Sequence, residues 1–214
     1  PAGPGEEIAG PIRFTRENGL LRQEFEYAGR TIRLPLLGGM QRKNFRLVHR
    51  VLEFLAARYG LDLDRALDGL ANVRWPARCQ QLNERLFVDG GHNPDGLSAL
   101  REAMEEIAPG EKFTVIFAGF RDKDVETSLK LIAPLAAEFL FVPLHEADRP
   151  CRTPEELCAM ARKLNVPASE RANALLAVND ALADSPRKVL VAGSLYLAGE
   201  VLADLADRHL VLDL

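Results

Sequence analysis

From Cys79 onward, short apolar runs alternate with stretches of helical spacing, and few folds accept that alternation. Strands are predicted at 79–82, 86–89, 113–118, 138–142 and 188–192, with a further one at 209–213. Helices are predicted at 93–108, 124–136, 154–164, 171–184 and 195–207. Runs such as Phe113-Thr114-Val115-Ile116-Phe117 suit strands covered on both faces. Repeated βα units then predict an α/β domain: a mostly parallel sheet with helices on both sides.

The first third of the chain reads differently. Residues 1–10 are expected to be a loose tail. Between Pro11 and Leu37, Ile12 and Phe14 alternate with polar neighbours, and Glu17-Asn18-Gly19 marks a turn. Leu21 to Tyr27 and Thr31 to Leu34 flank Ala28-Gly29-Arg30 as a β-hairpin. A helix over about 41–59 follows, with Phe45, Val48, Leu52 and Leu55 as its apolar stripe, widened by Leu47, Val51 and Phe54; Gly60 is its C-cap. Asp62 or Asp64 caps a shorter helix to about Ala71. Residues 72–78 have no clean period and read as a linker, which gives domains at 1–74 and 75–214.

Composition narrows the function classes. Of 214 residues, 47% are hydrophobic, enough for a sizeable core. The net charge of −4 supplies no strong attraction to nucleic acid or to a membrane surface. No apolar run reaches the roughly 18 residues of a membrane span. The N-terminus is neither basic nor apolar, so no signal peptide is read there. Cys79, Cys151 and Cys158 form an odd set without a Cys-x-x-Cys pair, which fits a reducing cytoplasm. His49, His92, His145 and His209 are scattered and lack metal-ligand spacing.

The residues with chemistry gather at predicted strand ends, where parallel sheets bind ligands. Leu86-Phe87-Val88 leads into Asp89-Gly90-Gly91-His92, and Asn93-Pro94 then caps and opens a helix. Gly119-Phe120-Arg121-Asp122-Lys123-Asp124 follows the 113–118 strand, and Gly193-Ser194-Leu195-Tyr196 follows the 188–192 strand. Each has a plain alternative. Asp89 satisfies turn amides or faces a ligand; His92 is a turn residue or a ligand contact. Ser194 is an N-cap or a binding group. Lys123 belongs to a solvated loop or neutralises a phosphate or carboxylate. Arg78 is a surface charge or reaches a nucleotide. A Ser194–His92–Asp89 hydrolase triad is disfavoured, because the serine lacks a Gly-x-Ser-x-Gly elbow and Asp89 shares one short loop with His92. No Gly-x-x-x-x-Gly-Lys-Ser/Thr loop occurs, so nothing here cradles a triphosphate with its magnesium.

Asp89-Gly90-Gly91-His92-Asn93-Pro94 resembles the Asp-Gly-Ala-His-Asn-Pro motif of folylpolyglutamate synthase/dihydrofolate synthase, in the Mur ligase superfamily. Gln41-Arg42-Lys43-Asn44 is similar to that family's Gln-x-x-Asn, and Trp75-Pro76-Ala77-Arg78 to its Trp-Pro-Gly-Arg linker. Asp122-Lys123-Asp124 and Gly193-Ser194-Leu195-Tyr196 resemble its Asp-Lys-Asp loop and its Gly-Ser-Leu-Tyr turn, in the family's order. Three positions depart: Gly91 stands for the usual Ala, Ala77 for the usual Gly, and Met40 where a His often precedes the Gln.

The resemblance implies a Rossmann-like C-terminal domain with a β-hairpin and helices before it, the remnant of a central ATPase domain. It implies an ATP-dependent ligase that phosphorylates a carboxylate of dihydropteroate or a folate, then joins it to L-glutamate. Asn44, Arg78 and Asp89 would contact ATP, by type at adenine, phosphate and ribose. His92 and Ser194 would hold the glutamate dianion, with Lys123 and Tyr196 supporting that pocket; His92 and Lys123 would carry the catalytic roles. Domain closure would run about residues 73–78. The magnesium ligands and the P-loop would lie in an N-terminal half that precedes Pro1, so this chain alone is expected to be inactive. A cytoplasmic monomer is expected, without nucleic-acid or membrane partners. Two other readings stand beside it: a free-standing nucleotide- or glutamate-binding module without catalysis, and another Mur-type amino-acid ligase.

Overall fold

A computed structural model describes residues 8–145 and 149–207, and the chain divides after Trp75 into two compact units. The strand expected at 209–213 and most of the expected N-terminal tail lie outside the described residues.

In the first unit three antiparallel strands, β1 (Ile8–Glu17), β2 (Leu20–Tyr27) and β3 (Arg30–Leu34), form one sheet. The chain is thus already a strand at Ile8, where a loose tail is expected. Both hairpins turn on two residues of positive φ, Asn18-Gly19 and Ala28-Gly29. This is the backbone that matches the right-handed strand twist. Alternation then places Gln23, Phe25 and Tyr27 on one face. They pack there with Ile32, Leu34, Phe45 of helix α1 (Gly39–Tyr59) and Leu67 of helix α2 (Leu63–Gly69). The buried Gln23 amide is satisfied by the carbonyl of Leu36 and by the Arg42 guanidinium at 2.7 Å. Asp62, rather than Asp64, caps α2, accepting from the Arg65 amide at 3.0 Å.

The stripe expected on α1 is corrected here. Its core face is Phe45, His49 and the half-buried Leu52, at i, i+4 and i+7. Leu47 and Phe54 are 68% and 63% exposed, and Val48 and Val51 are exposed beside them. Periodicity finds apolar positions on a helix; it does not tell one face with cover from two faces with a need for it.

In the second unit six strands order as β4-β5-β9-β6-β7-β8. They are β4 (Gln80–Gln81), β5 (Leu86–Val88), β6 (Phe113–Phe117), β7 (Ala136–Phe141), β8 (Ala168–Glu170) and β9 (Lys188–Ala192). Only β4 runs antiparallel to its neighbour. The helices are α3 (Pro94–Ile107), α4 (Val125–Ile132), α5 (Pro154–Arg162), α6 (Ala174–Asp184) and α7 (Leu195–Asp207). Leu86, Val88, Ile116, Leu140, Val189 and Val191 pack with Ala177 and Val178 of α6 and with Leu197 and Val201 of α7. The alternate strand positions, Phe87, Val115, Phe117, Phe139 and Leu190, are equally buried and project from the opposite face.

The fold class read from the alternation is therefore present, and two edges are new. The strand β8 is three residues of Ala-Ser-Glu at a sheet edge, with no apolar signal, and α6 begins at Ala174 under an Asn173 cap rather than at 171. The segment expected as a strand at 79–82 is reduced to two glutamines.

One topological consequence positions everything that follows. The chain leaves β5, crosses to β6 two places away, and returns to fill the gap only with β9. The carboxyl ends of β5, β9 and β6 thus stand side by side at a switch of winding direction, where ligands bind in doubly wound sheets.

Candidate functional site

The three strand-end loops predicted from sequence meet at that edge, and hydrogen bonds tie them. The Asp89 amide donates to the Val191 carbonyl at 2.9 Å, continuing the β5–β9 pairing past the strand. The Gly193 amide donates to the Gly91 carbonyl at 2.9 Å, joining the turn after β9 to the loop after β5. Gly193 has φ 102, and a Cβ on it would stand 2.4 Å from the Ala118 carbonyl oxygen at the end of β6. Only glycine lets the three strand ends approach this closely.

Asp89 is 7% exposed and both its carboxylate oxygens are engaged. Oδ2 accepts from the Cys79 amide at 2.7 Å, and Oδ1 from the Gly91 amide at 2.6 Å. Burial raises its pKa above the ordinary carboxylate value, against the pull of those two amides, Arg78 and His92 toward the ionised form. Burial, with the Asp89 charge, likewise raises the Cys79 thiol, which stays protonated.

His92 is half-buried, and its Nδ1 donates to the Gly90 carbonyl at 3.0 Å. A carbonyl only accepts, so that bond fixes the tautomer of the neutral ring and leaves Nε2 as the second hydrogen-bonding atom. The ring is not paired with the Asp89 carboxylate, so no triad geometry forms. Asn93 caps α3, accepting from the Gly96 amide at 2.8 Å.

Ser194 is fully buried, and its Oγ accepts from the Tyr196 amide at 3.1 Å. Its hydroxyl therefore serves the first turn of α7. Tyr196 lies half-exposed with its ring edge-on to Phe120 at 5.4 Å. Lys123, half-exposed, has its Nζ 3.9 Å from Asp122. Asp124 caps α4 by accepting from the Thr127 amide at 3.0 Å, and that bond lowers its pKa. Arg78 is exposed beside Asp89, and its positive charge favours the ionised carboxylate. Asn44 belongs to the first unit, on α1, where its amide donates to the Gln41 side chain at 3.1 Å. The second unit thus brings Asp89, His92, Ser194 and Tyr196 to one sheet edge, with Lys123 on the adjacent loop and Arg78 beside Asp89.

A fourth segment at this edge escaped the sequence reading. Residues 149–152 run along the loop after β6: the Arg121 amide donates to Pro150 O at 3.0 Å and the Arg152 amide to Gly119 O at 2.8 Å. The Arg149 guanidinium lies over the Phe120 ring at 4.3 Å, a cation–π contact. The only sequence signal nearby is Thr153-Pro154, which marks the start of α5 and nothing more. Among the described residues no group of three or more His, Cys, Asp or Glu side chains could hold a metal ion.

Residues 76–195 match the family described as Mur ligase, glutamate ligase domain. The chain is 27% identical over 175 residues to the dihydrofolate synthase/folylpolyglutamate synthase of Bacillus subtilis (strain 168), covering 79% of this chain and 40% of that protein. A solved Mycobacterium tuberculosis folylpolyglutamate synthase complexed with ADP superposes with a TM-score of 0.69 at 25% identity, over 94% of this chain and 47% of that one. The Thermotoga maritima folylpolyglutamate synthase gives 0.72 at 22% identity, over 92% and 46%. The chain spans about two fifths of the length of the curated relatives it matches.

Proposed function

The chain belongs to the Mur ligase family through its glutamate ligase domain, and from that premise we propose that it is the carboxyl-terminal portion of an ATP-dependent ligase that adds L-glutamate to dihydropteroate or a folate. The observation that carries the reading is the joining of the His92 loop to the Gly-Ser-Leu-Tyr turn by the Gly193–Gly91 hydrogen bond, inside the matched region. In such a reaction ATP first phosphorylates the acid. The glutamate nitrogen then attacks the acyl carbon. A C–N bond forms, the C–O bond to phosphate breaks, phosphate departs, and the nitrogen gives up a proton.

The part proposed for this chain is charge and position. His92, its ring held at Nδ1, presents Nε2 as an acceptor to the amino group of glutamate, and Lys123 neutralises a glutamate carboxylate. Tyr196 and Phe120 wall that side. Ser194 acts through the Tyr196 amide it caps, since its hydroxyl is buried. Arg78 faces phosphate and Asn44 the adenine, while Asp89, buried behind two amide bonds, shapes the nucleotide-facing lip. Among the described residues no cluster of carboxylates fits magnesium, so this proposal assigns its ligands to another part of a longer protein. The exposed apolar face of α1 supports the view that the first unit is part of a larger ATP-binding domain.

The test uses the full-length gene product. His92→Ala should raise the KM for glutamate by about tenfold or more, a loss near 1.4 kcal/mol, with a smaller effect on ATP. The 214-residue chain alone should form no ADP. An unchanged glutamate KM would refute the role of His92, and turnover by the chain alone would refute the division of labour.

A further inference from the structure

The residues that open the second unit have an unusual backbone. Ala77 has φ 56 and Cys79 φ 44, both left-handed, and neither is glycine. Such conformations cost an L-residue about 1–2 kcal/mol each. Both side chains are nonetheless buried. Three hydrogen bonds hold the segment. The Gly90 amide donates to Ala77 O at 2.8 Å, the Cys79 amide to Asp89 Oδ2 at 2.7 Å, and the Ala77 amide to the Gln80 side chain at 3.0 Å. Two of the three come from the loop that carries His92. The remaining Asp89 oxygen holds that same loop at Gly91.

Pro76 stands immediately before this clamp. Its ring fixes its own φ and keeps Trp75 extended. Trp75 itself is 63% exposed, and Val73 is the extended cap of the turn that ends the first unit. The hydrogen-bonded clamp therefore begins just after Pro76, and residues 73–75 lie outside it.

We propose that Asp89 is a latch, a positioning residue that seats residues 76–79 on the second unit. Residues 76–79 then hold with the His92 loop as one piece, so a pivot within them requires the latch to open. The expected hinge of 73–78 thereby loses its second half while the latch holds. This inference rests on the second unit's own geometry and stands whether or not the chain is part of a glutamate ligase.

Two trypsin sites flank the boundary, Arg74 outside the clamp and Arg78 inside it, and both are exposed. Limited trypsinolysis of the 214-residue chain, with cuts identified by mass and rates normalised to an unfolded peptide spanning both arginines, reads the latch directly. Cleavage after Arg74 should outrun cleavage after Arg78 by about tenfold or more, because the second cut needs the clamp to open. In Asp89→Ala the Arg78 cut should rise by about tenfold or more while the Arg74 cut stays put, and Asp89→Asn, which keeps one acceptor, should fall between. Leu100→Ala removes a buried α3 side chain and weakens the second unit away from the latch; it should leave the ratio near its wild-type value. Equal cutting at both arginines in the wild-type chain overturns the proposal without recourse to any variant. So does a Leu100→Ala chain that opens Arg78 as much as Asp89→Ala does.

Discussion

Replacing Asp89 by alanine tests how much of this site is scaffold. The substitution strips the partners from two buried amides, those of Cys79 and Gly91, now bonded at 2.7 and 2.6 Å. A buried donor without a partner costs about 1–3 kcal/mol, so the pair sums to about 2–6. Against this, the variant no longer buries a carboxylate whose raised pKa reports a cost of ionisation. The net expectation is a loss of about 2–4 kcal/mol from the second unit. Hydrogen exchange of the β5, β6 and β9 amides reports that unit's stability, and protection at Cys79 and Gly91 should fall most. The pH dependence carries a sign. With a folded pKa above the unfolded value of about 3.9, the folded chain binds the proton more tightly. Stability contributed by this group therefore falls as pH climbs through that window and then levels off. The wild-type advantage over Asp89→Ala should be larger at the acid end than at neutrality. The lowered carboxylates, Asp124 and Glu156 among them, act in the opposite sense, but they are common to both proteins and cancel in the difference. A variant within about 0.5 kcal/mol of wild type, or a gap that widens with rising pH, would refute the reasoning.

Two glycines of the second unit should respond oppositely to alanine. At Gly193 the new Cβ would lie 2.4 Å from the Ala118 oxygen at φ 102, so Gly193→Ala should cost about 3 kcal/mol or more, or prevent the unit from folding. At Gly199, exposed on α7 with nothing within 4 Å, the same change should gain about 0.5–1 kcal/mol; urea titration of both separates a steric requirement from a general sensitivity. On α1, Leu47→Gln and Phe54→Gln should alter the 214-residue chain by less than about 0.5 kcal/mol, since both side chains stand exposed. In a longer protein that covers this face, the same pair should lower the melting temperature by several degrees.

What the sequence makes legible follows from how local the cause is. The β5–α3 turn is readable because Asn93 and Pro94 cap a helix whose stripe, Leu97, Leu100 and Met104, is buried as its spacing demands. The parallel sheet is readable because Phe113 to Phe117 has no polar face to show to water except Thr114, whose hydroxyl reaches Glu138 at 2.9 Å. The strand β8 is hidden because an edge strand of three residues needs no apolar side chain. The uncovered face of α1 is hidden because amphipathic spacing is the same with or without a neighbour. Within the site, Asp89, His92 and Ser194 are found by type and position, but what engages them is tertiary: a linker amide from Cys79 and a neighbouring strand's turn. The left-handed backbone at Ala77 and Cys79 has no sequence signature, since both residues ordinarily avoid it.

Two departures from the family pattern lie at opposite ends of one hydrogen-bonded arrangement, which gives them a common explanation. Gly91 stands where an alanine is usual, and a Cβ there would come within 2.8 Å of Asp89 Oδ1. Ala77 stands where glycine is usual, and it is held at φ 56 while its carbonyl accepts from Gly90. A glycine at 77 would adopt that backbone freely, and the clamp would have less to restrain. Alanine at 77 needs a close Asp89 loop, and glycine at 91 permits one. The two positions should therefore be coupled. Gly91→Ala alone should cost about 1–2 kcal/mol by displacing the carboxylate from its amides. In an Ala77→Gly background the cost should shrink by about 0.5–1 kcal/mol, because the linker no longer depends on a tight loop to stay left-handed. A double-mutant cycle by urea unfolding of the second unit measures that term. Additivity within about 0.3 kcal/mol would show that the two departures are independent, and that the clamp at Asp89 does not bear the backbone strain assigned to it.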